Sequence, residues 1–223
     1  MSGSTKLLTS GGGGLILTPA SNIASDVTVN IPSVNGTAVI GNAAVSAVGQ
    51  IPFSTDGTTF TPTAKIVSGT AVASTSGTSI DFTGIPSWVK RITVMLNGVS
   101  TNGSSLLRLQ LGSGTIITSG YLGSQIGSTG GQATNGGNLS AGFDIQTYAP
   151  AATPAALYSG SVVFTLTTAN NWTASGIVGQ QGNATIGIIA GYIPLSGTLD
   201  RLRLTTVGGT DTFDAGSVNI QYE

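Results

Sequence analysis

Cysteine and histidine are both absent from this 223-residue chain. Without cysteine there are no disulfides and no thiolate chemistry, and the redox compartment is left open. Without histidine there is no Ser-His-Asp or Cys-His arrangement, no imidazole base, and none of the commoner zinc sites. Charge is scarce as well: 7% of residues are Asp, Glu, Lys or Arg, against about 25% in an ordinary soluble domain. The seven basic and eight acidic residues give a net charge of −1 and are scattered. No basic patch is available to neutralise phosphates, so nucleic-acid binding is not expected. No polybasic segment suits an anionic membrane, and no apolar run approaches the roughly 20 residues of a membrane span. Met1 to Lys6 lacks the charged-then-apolar layout of a signal peptide. The protein is expected to be made in a cytoplasm, with lysis as one route of release.

The residues present in quantity are apolar and hydroxylic. The apolar fraction is 39%, enough for a packed core, and Ser, Thr, Asn and Gly supply the polarity in place of charge. Disordered chains combine low hydrophobicity with high net charge, and this one does neither. A surface so poor in charge lacks the repulsion that keeps monomers apart, which suits burial in a larger assembly.

The chain changes character along its length. Gly11 to Gly14 is an unbroken glycine tract, read as a hinge because its backbone entropy disfavours a regular element. Short apolar strokes come next at Leu15–Leu17, Val27–Ile31 and Ala38–Ile40, separated by turn chemistry at Thr18–Asn22 and Pro32–Gly36. Strands this short bury little by themselves; stacking against neighbouring chains would complete them. Residues 43–64 read as a connector, with Phe53 and Phe60 as candidates to dock on the C-terminal domain. Residues 1–64 are thus expected to form an arm and intertwined shaft, and residues 65–223 a knob.

In the knob, Ile92, Val94 and Leu96 fall on one side at a period of two. Leu107–Leu111 alternates, with Arg108 and Gln110 expected to face away from the core. Further strands are expected at Phe143–Tyr148, Ser161–Thr167, Ala174–Val178, Thr185–Tyr192, Leu202–Thr205 and Val218–Tyr222. Asn97-Gly98, Asn102-Gly103, Asn135-Gly136 and Gly208-Gly209 read as turns. No helical stripe is evident. The fold class is all-β, an antiparallel β-sandwich of jelly-roll-like kind behind a short-strand trimerising arm.

Residues 119–138, rich in Gly, Ser, Thr, Asn and Gln, read as a long exposed loop, and long loops in compact domains are commonly functional. Its Tyr121, Leu122, Gln125 and Ile126 are candidate contact residues, together with Trp172, which comes after Asn170-Asn171 at an expected turn. Trp88 precedes a strong strand and reads as packing at its start. Enzymatic chemistry is reduced to paired carboxylates among Asp26, Asp56, Asp81, Asp144, Asp200, Asp211, Asp214 and Glu223. Nothing in their spacing brings two together. Asp211 and Asp214, in a Gly-rich stretch, lack the acidic density of a calcium loop; a hairpin connection is the plainer reading. No catalytic residue, cofactor or metal is assigned.

The segment Thr78–Val94, with its continuation Met95–Gly103, resembles a stretch recurring in tail-fibre and tail proteins of tailed bacteriophages. Leu17–Ser21, Val27–Pro32 and Gly36–Val39 are similar to the short-strand shaft modules of phage fibres. The resemblance implies a homotrimeric virion protein, not an enzyme, contributing to host-surface attachment. Its partners would be other virion proteins (tail, baseplate or major capsid) and host-surface glycan or protein. Lys6, Leu7, Leu8, Leu15, Ile16 and Leu17 are the candidate attachment arm, chosen by position. Two alternatives remain: a capsid decoration or head-fibre protein that braces the shell, and a polysaccharide depolymerase.

Overall fold

A computed structural model describes residues 5–8, 14–17, 50–53 and 61–64 as backbone strands, and residues 66–130, 134–145 and 154–223 with their side chains. The chain divides into two units, Met1–Asn42 and Ala43–Glu223; residues 43–64, read from the sequence as part of the arm, are assigned with the second. In the first unit, β1 (Thr5–Leu8) and β2 (Gly14–Leu17) pair antiparallel, with Lys6 opposite Ile16 and Leu7 opposite Leu15. The expected strokes at Val27–Ile31 and Ala38–Ile40, the glycines 11–13 and the winding of three chains lie outside the described residues. In the second unit, β3 (Gln50–Phe53) and β4 (Thr61–Ala64) form a separate antiparallel pair where the sequence suggested only a connector. The docking of Phe53 and Phe60 lies outside the described side chains.

The remaining strands build an antiparallel β-sandwich, and no described residue is helical. They are β5 (Val67–Ser68), β6 (Val72–Ala73), β7 (Ser79–Thr83), β8 (Arg91–Thr101), β9 (Leu107–Ser113), β10 (Thr115–Ile116) and β11 (Leu122–Thr129). The series continues with β12 (Thr134–Asn138), β13 (Phe143–Ile145), β14 (Tyr158–Thr168), β15 (Asn171–Gln180), β16 (Thr185–Pro194), β17 (Arg201–Thr206) and β18 (Phe213–Tyr222). The larger sheet has nine strands in the order β12-β11-β16-β15-β14-β8-β18-β5, with β6 also on β18. The smaller has five, in the order β10-β9-β17-β7, with β13 also on β9.

Alternation of side chains along each strand makes the core. The larger sheet turns Ile92, Val94, Val162, Phe164, Val178, Ile189 and Ile220 inward, and the smaller turns in Phe82, Leu109, Leu111, Phe143, Leu202 and Leu204, all at most 8% exposed. Each such side chain contributes about 1.5–3 kcal/mol by leaving water. Tyr121 meets Phe143 edge to face and Phe143 meets Phe164 at a tilt through the middle, with centroid separations of 5.0 and 5.4 Å. Trp88 is partly buried and meets Tyr222 at 5.8 Å, as packing at the start of β8 implies.

Several local expectations need correction. Residues 119–138 are mostly a strand hairpin, β11 and β12. Asn135-Gly136 lies inside β12 and Asn97-Gly98 inside β8, so neither is a turn. Gly98, at φ +62°, sits beside Gly216 where the register of β8 with β18 shifts. A Cβ on Gly216 would come within 2.1 Å of the Gly98 carbonyl oxygen. The apparent turn signal is a β-bulge, which uses the same left-handed freedom of glycine. Asn102-Gly103 and Gly208-Gly209 do lie between strands.

Candidate functional site

The outer face of the smaller sheet gathers charge. Register places Asp144 of β13 beside Arg108 of β9, and Asp81 of β7 beside Arg203 of β17. Arg203 donates from Nε and Nη2 to the two oxygens of Asp81, both at 2.7 Å. Arg108 makes the same fork to Asp144, with Nη2 to Oδ2 at 2.9 Å. The Asp144–Arg108 pair is largely covered, with side chains 11% and 13% exposed, because β13 pairs alongside β9 and the turn before it, at Gly142, lies against the Arg108 side chain. Arg108 and Gln110 therefore do point away from the hydrophobic core, as the alternation implies. They are not solvated, however: Gln110 is 6% exposed and donates from Nε2 to the Ala141 carbonyl at 2.8 Å. Asp200 pairs with its chain neighbour Arg201 at 2.8 Å. Arg201 holds the Asp200 carboxyl below its usual range, chiefly through this hydrogen bond. Asp200 and Asp81 in turn raise Arg201 and Arg203.

Between these pairs lies a depression of about 290 Å³, lined by Arg108, Gln110, Arg203, Thr205, Ser79 and Thr118, among others. Asp211 is used elsewhere: its Oδ2 accepts from the Ser105 backbone N–H at 2.8 Å, tying the loop after β8 to the loop before β18. Asp214 is exposed on β18, and Glu223 pairs with Arg91 at 3.0 Å. Among the described residues no group of three acids converges. Asp81, Asp144, Asp200, Asp211 and Glu223 therefore serve as ties between strands and loops; Asp26 and Asp56 lie outside the described residues.

The outer face of the larger sheet is the opposite in character. No charged residue occurs in β11, β12, β14, β15 or β16. Three of these strands carry large apolar side chains outward: Ile177 is 55% exposed, Leu122 51%, Ile188 and Tyr192 44%, Ile126 40% and Ile186 39%. Ile126 faces Ile188, which faces Ile177; Leu122 faces Tyr192 two rows further along the same face, with Ser124 opposite Ala190 in the row between. β11 is in fact inside out, with Leu122 and Ile126 exposed while Gln125 and Gly127 are buried.

Glycine locks this orientation. Gly123, at φ +146°, lies opposite Gly191, and a Cβ on it would sit 2.3 Å from the Ala190 carbonyl oxygen and 2.4 Å from the Gly191 Cα. A slip by one residue would exchange the two faces of β11, but it would bring a side chain into this contact. The outward apolar row is thus built into the register.

The sequence-derived contact residues separate accordingly. Leu122 and Ile126 are exposed on the apolar face. Tyr121 (1% exposed) and Trp172 (3%) are core residues, and Gln125 (9%) faces inward, so none of the three belongs to an exposed loop. The Tyr121 hydroxyl accepts from the Leu111 N–H and donates to the Ile117 carbonyl, both at 2.9 Å. Burial pushes its pKa up to about 12. Trp172 is the second residue of β15, just after the turn from β14, and alternation turns it inward. Sequence reading missed Ile177, Ile186, Ile188 and Tyr192 as surface residues, since apolar alternation on β15 and β16 suggests core whichever side it faces. Lys6, Leu7, Leu8, Leu15, Ile16 and Leu17 are brought together as the β1–β2 pair.

No family model matches the chain, and neither does any curated protein or solved structure.

Proposed function

We propose that the protein is a structural component of a tailed-phage particle, a short homotrimeric appendage that contributes to attachment at the host surface. One observation carries the assembly part of this reading: the inside-out, charge-free apolar face formed by β11, β15 and β16. Exposed apolar patches of this kind mark association surfaces, and the occupant that fits is another copy of the same chain. Close to a three-fold axis a charge lies near its own images, so a charge-free face can pack around that axis without like-charge repulsion. The tie to phage particles rests on the resemblance of Thr78–Val94 to tail-fibre segments. In this reading the arm, including the β1–β2 pair, grips another virion protein. Five of the six described acids are engaged as structural ties, which favours a structural role over hydrolysis.

The test is mass by light scattering, followed by location on the particle. The intact chain is expected to be a trimer at micromolar concentration, and Ile177→Asp with Ile188→Asp is expected to yield folded monomer. Labelled particles are expected to carry the protein on the tail. A monomeric native chain overturns the assembly reading, and labelling over the capsid shell assigns the protein to shell decoration.

A further inference from the structure

The depression on the outer face of the smaller sheet is a preformed polar pocket with unused donors. Its floor comes from two adjacent strands, with Arg108 opposite Thr205 and Gln110 opposite Arg203. The two arginines are therefore diagonal neighbours, about 7–8 Å apart across the strands. Their carboxylate partners stand on outer flanks: Asp144 on β13, beyond β9, and Asp81 on β7, beyond β17. Each carboxylate takes the Nε and Nη2 edge of its arginine. The Nη1 groups, on the other side of each guanidinium, make no hydrogen bond among the described residues, and both arginines line the space between.

The pocket is also rigid, because its floor is bonded to its walls. Thr205 Oγ1 donates to the Thr78 carbonyl at 2.8 Å, Gln110 donates to the Ala141 carbonyl, and the Gly209 N–H donates to Thr206 Oγ1 at 3.1 Å. On the outer face Gln110 and Thr205 are 6% and 8% exposed, while Thr206, next along β17, alternates to the inner side at 1%. Covered polar side chains are held by hydrogen bonds, and here those bonds fix the shape of the pocket. A volume of about 290 Å³ is at the small end of ligand clefts, which run from about 300 Å³.

We infer that this pocket binds the oxyanion of a small ligand, a carboxylate or a sulfate group, held between the Nη1 groups of Arg108 and Arg203. Guanidinium donors match the paired oxygens of such groups, and their alignment here is already set by Asp144 and Asp81. The same carboxylates offset the positive charge, so selectivity rests on aimed donors more than on net potential. The hydroxyl and amide lining accommodates a hydroxylated remainder of the ligand. The site lies on the other sheet from the proposed assembly face and does not depend on that reading.

The experiment is an amide-resolved NMR titration of the full chain with sodium sulfate and, separately, sodium glucuronate, against sodium chloride at equal ionic strength. Saturable shifts at Gly209 and at the Gln110 side-chain amide are expected with at least one oxyanion and not with chloride. The salt that saturates at lower concentration distinguishes sulfate from carboxylate. Arg203→Gln is expected to weaken binding about tenfold, the scale of one charge-assisted hydrogen bond. Asp81→Asn, whose amide oxygen still accepts from Arg203 and keeps its aim while the offsetting charge is removed, is expected to tighten it. Arg201→Gln, outside the lining, serves as the unchanged control. All three positions are at the surface, and an unchanged spectrum elsewhere reports that each variant is folded. Shifts that grow linearly and equally in all three salts, or an Arg203→Gln variant that binds like the parent, overturn the inference.

Discussion

The two outer faces of the sandwich solve opposite problems with the same backbone. On the smaller sheet, six charged residues come within a few strands of one another, and all are matched: Asp144 with Arg108, Asp81 with Arg203, Asp200 with Arg201. On the larger sheet, seven of nine strands carry no charge, and isoleucine, leucine and tyrosine stand in the solvent. A solvated surface would normally mix charge and hydroxyls throughout. Concentrating charge on one face and apolar bulk on the other leaves the first fit for polar ligands and the second for another protein surface. The difference also predicts how each face fails. The charged face fails by stranding a partner, and the apolar face fails by losing its register.

The largest effect should come from breaking the covered pair. Arg108→Leu leaves the Asp144 carboxylate without its counter-charge in a largely covered position, with an expected cost of about 3–5 kcal/mol. Urea unfolding at fixed protein concentration measures it. Adding Asp144→Leu should return most of that stability, which separates the cost of stranding from the worth of the pair.

On the apolar face, Gly123→Ala forces a Cβ into the Ala190 carbonyl and is expected to cost about 2–3 kcal/mol. Loss of the β11–β16 amide protection in hydrogen exchange, with the smaller sheet unchanged, would assign the damage to register. Exchange that changes equally in both sheets would contradict the lock described for β11.

Alkaline titration probes the core between the faces. Tyr121 has a folded pKa of about 12, above the ordinary value near 10. The unfolded chain therefore loses this proton first as pH rises. The stabilisation is intact below pH 10 and is lost progressively from about pH 10 to 12, a loss of about 2–3 kcal/mol at roughly 1.36 kcal/mol per unit. Tyr121→Phe should remove this part of the alkaline dependence, read as the difference between the two unfolding midpoints across that range. The smallest effect belongs to the exposed pair. Asp81→Asn should change stability by less than about 1 kcal/mol while altering oxyanion binding, so stability and ligand affinity would separate on the same face.

Much of the sandwich was legible because alternation over long strands is a strong signal. The runs around Ile92–Leu96, Leu107–Leu111 and Leu202–Thr205 all fall within strands with the expected residues inward. The hairpin of β11 and β12 was not, because Gly123, Gly127, Gly136 and Gly137 imitate loop composition. Leu122 and Ile126 share one face, but Ser124 and Ser128 on that face and Gly123, Gln125 and Gly127 on the other leave no apolar period of two to read. Tyr121 and Trp172 were misjudged for a related reason. Neighbouring Ser, Gly and Asn suggested exposure, whereas the side-chain direction is set by where each strand begins. Of the candidate contact residues, only Leu122 and Ile126 reach the surface as large apolar groups.

The amino-acid order alone determined an all-β chain without imidazole or thiol chemistry, poor in charge and rich in alternating strands, because those properties depend on composition and local period. Which strands became neighbours was decided only by tertiary structure. Pairing across distant parts of the chain set Asp81 beside Arg203, brought Asp144 of β13 alongside Arg108, and turned the apolar row of β11 outward. Period two specifies that a strand has two faces; only the register with its neighbours, here enforced by Gly123 against Gly191, decides which of them meets water.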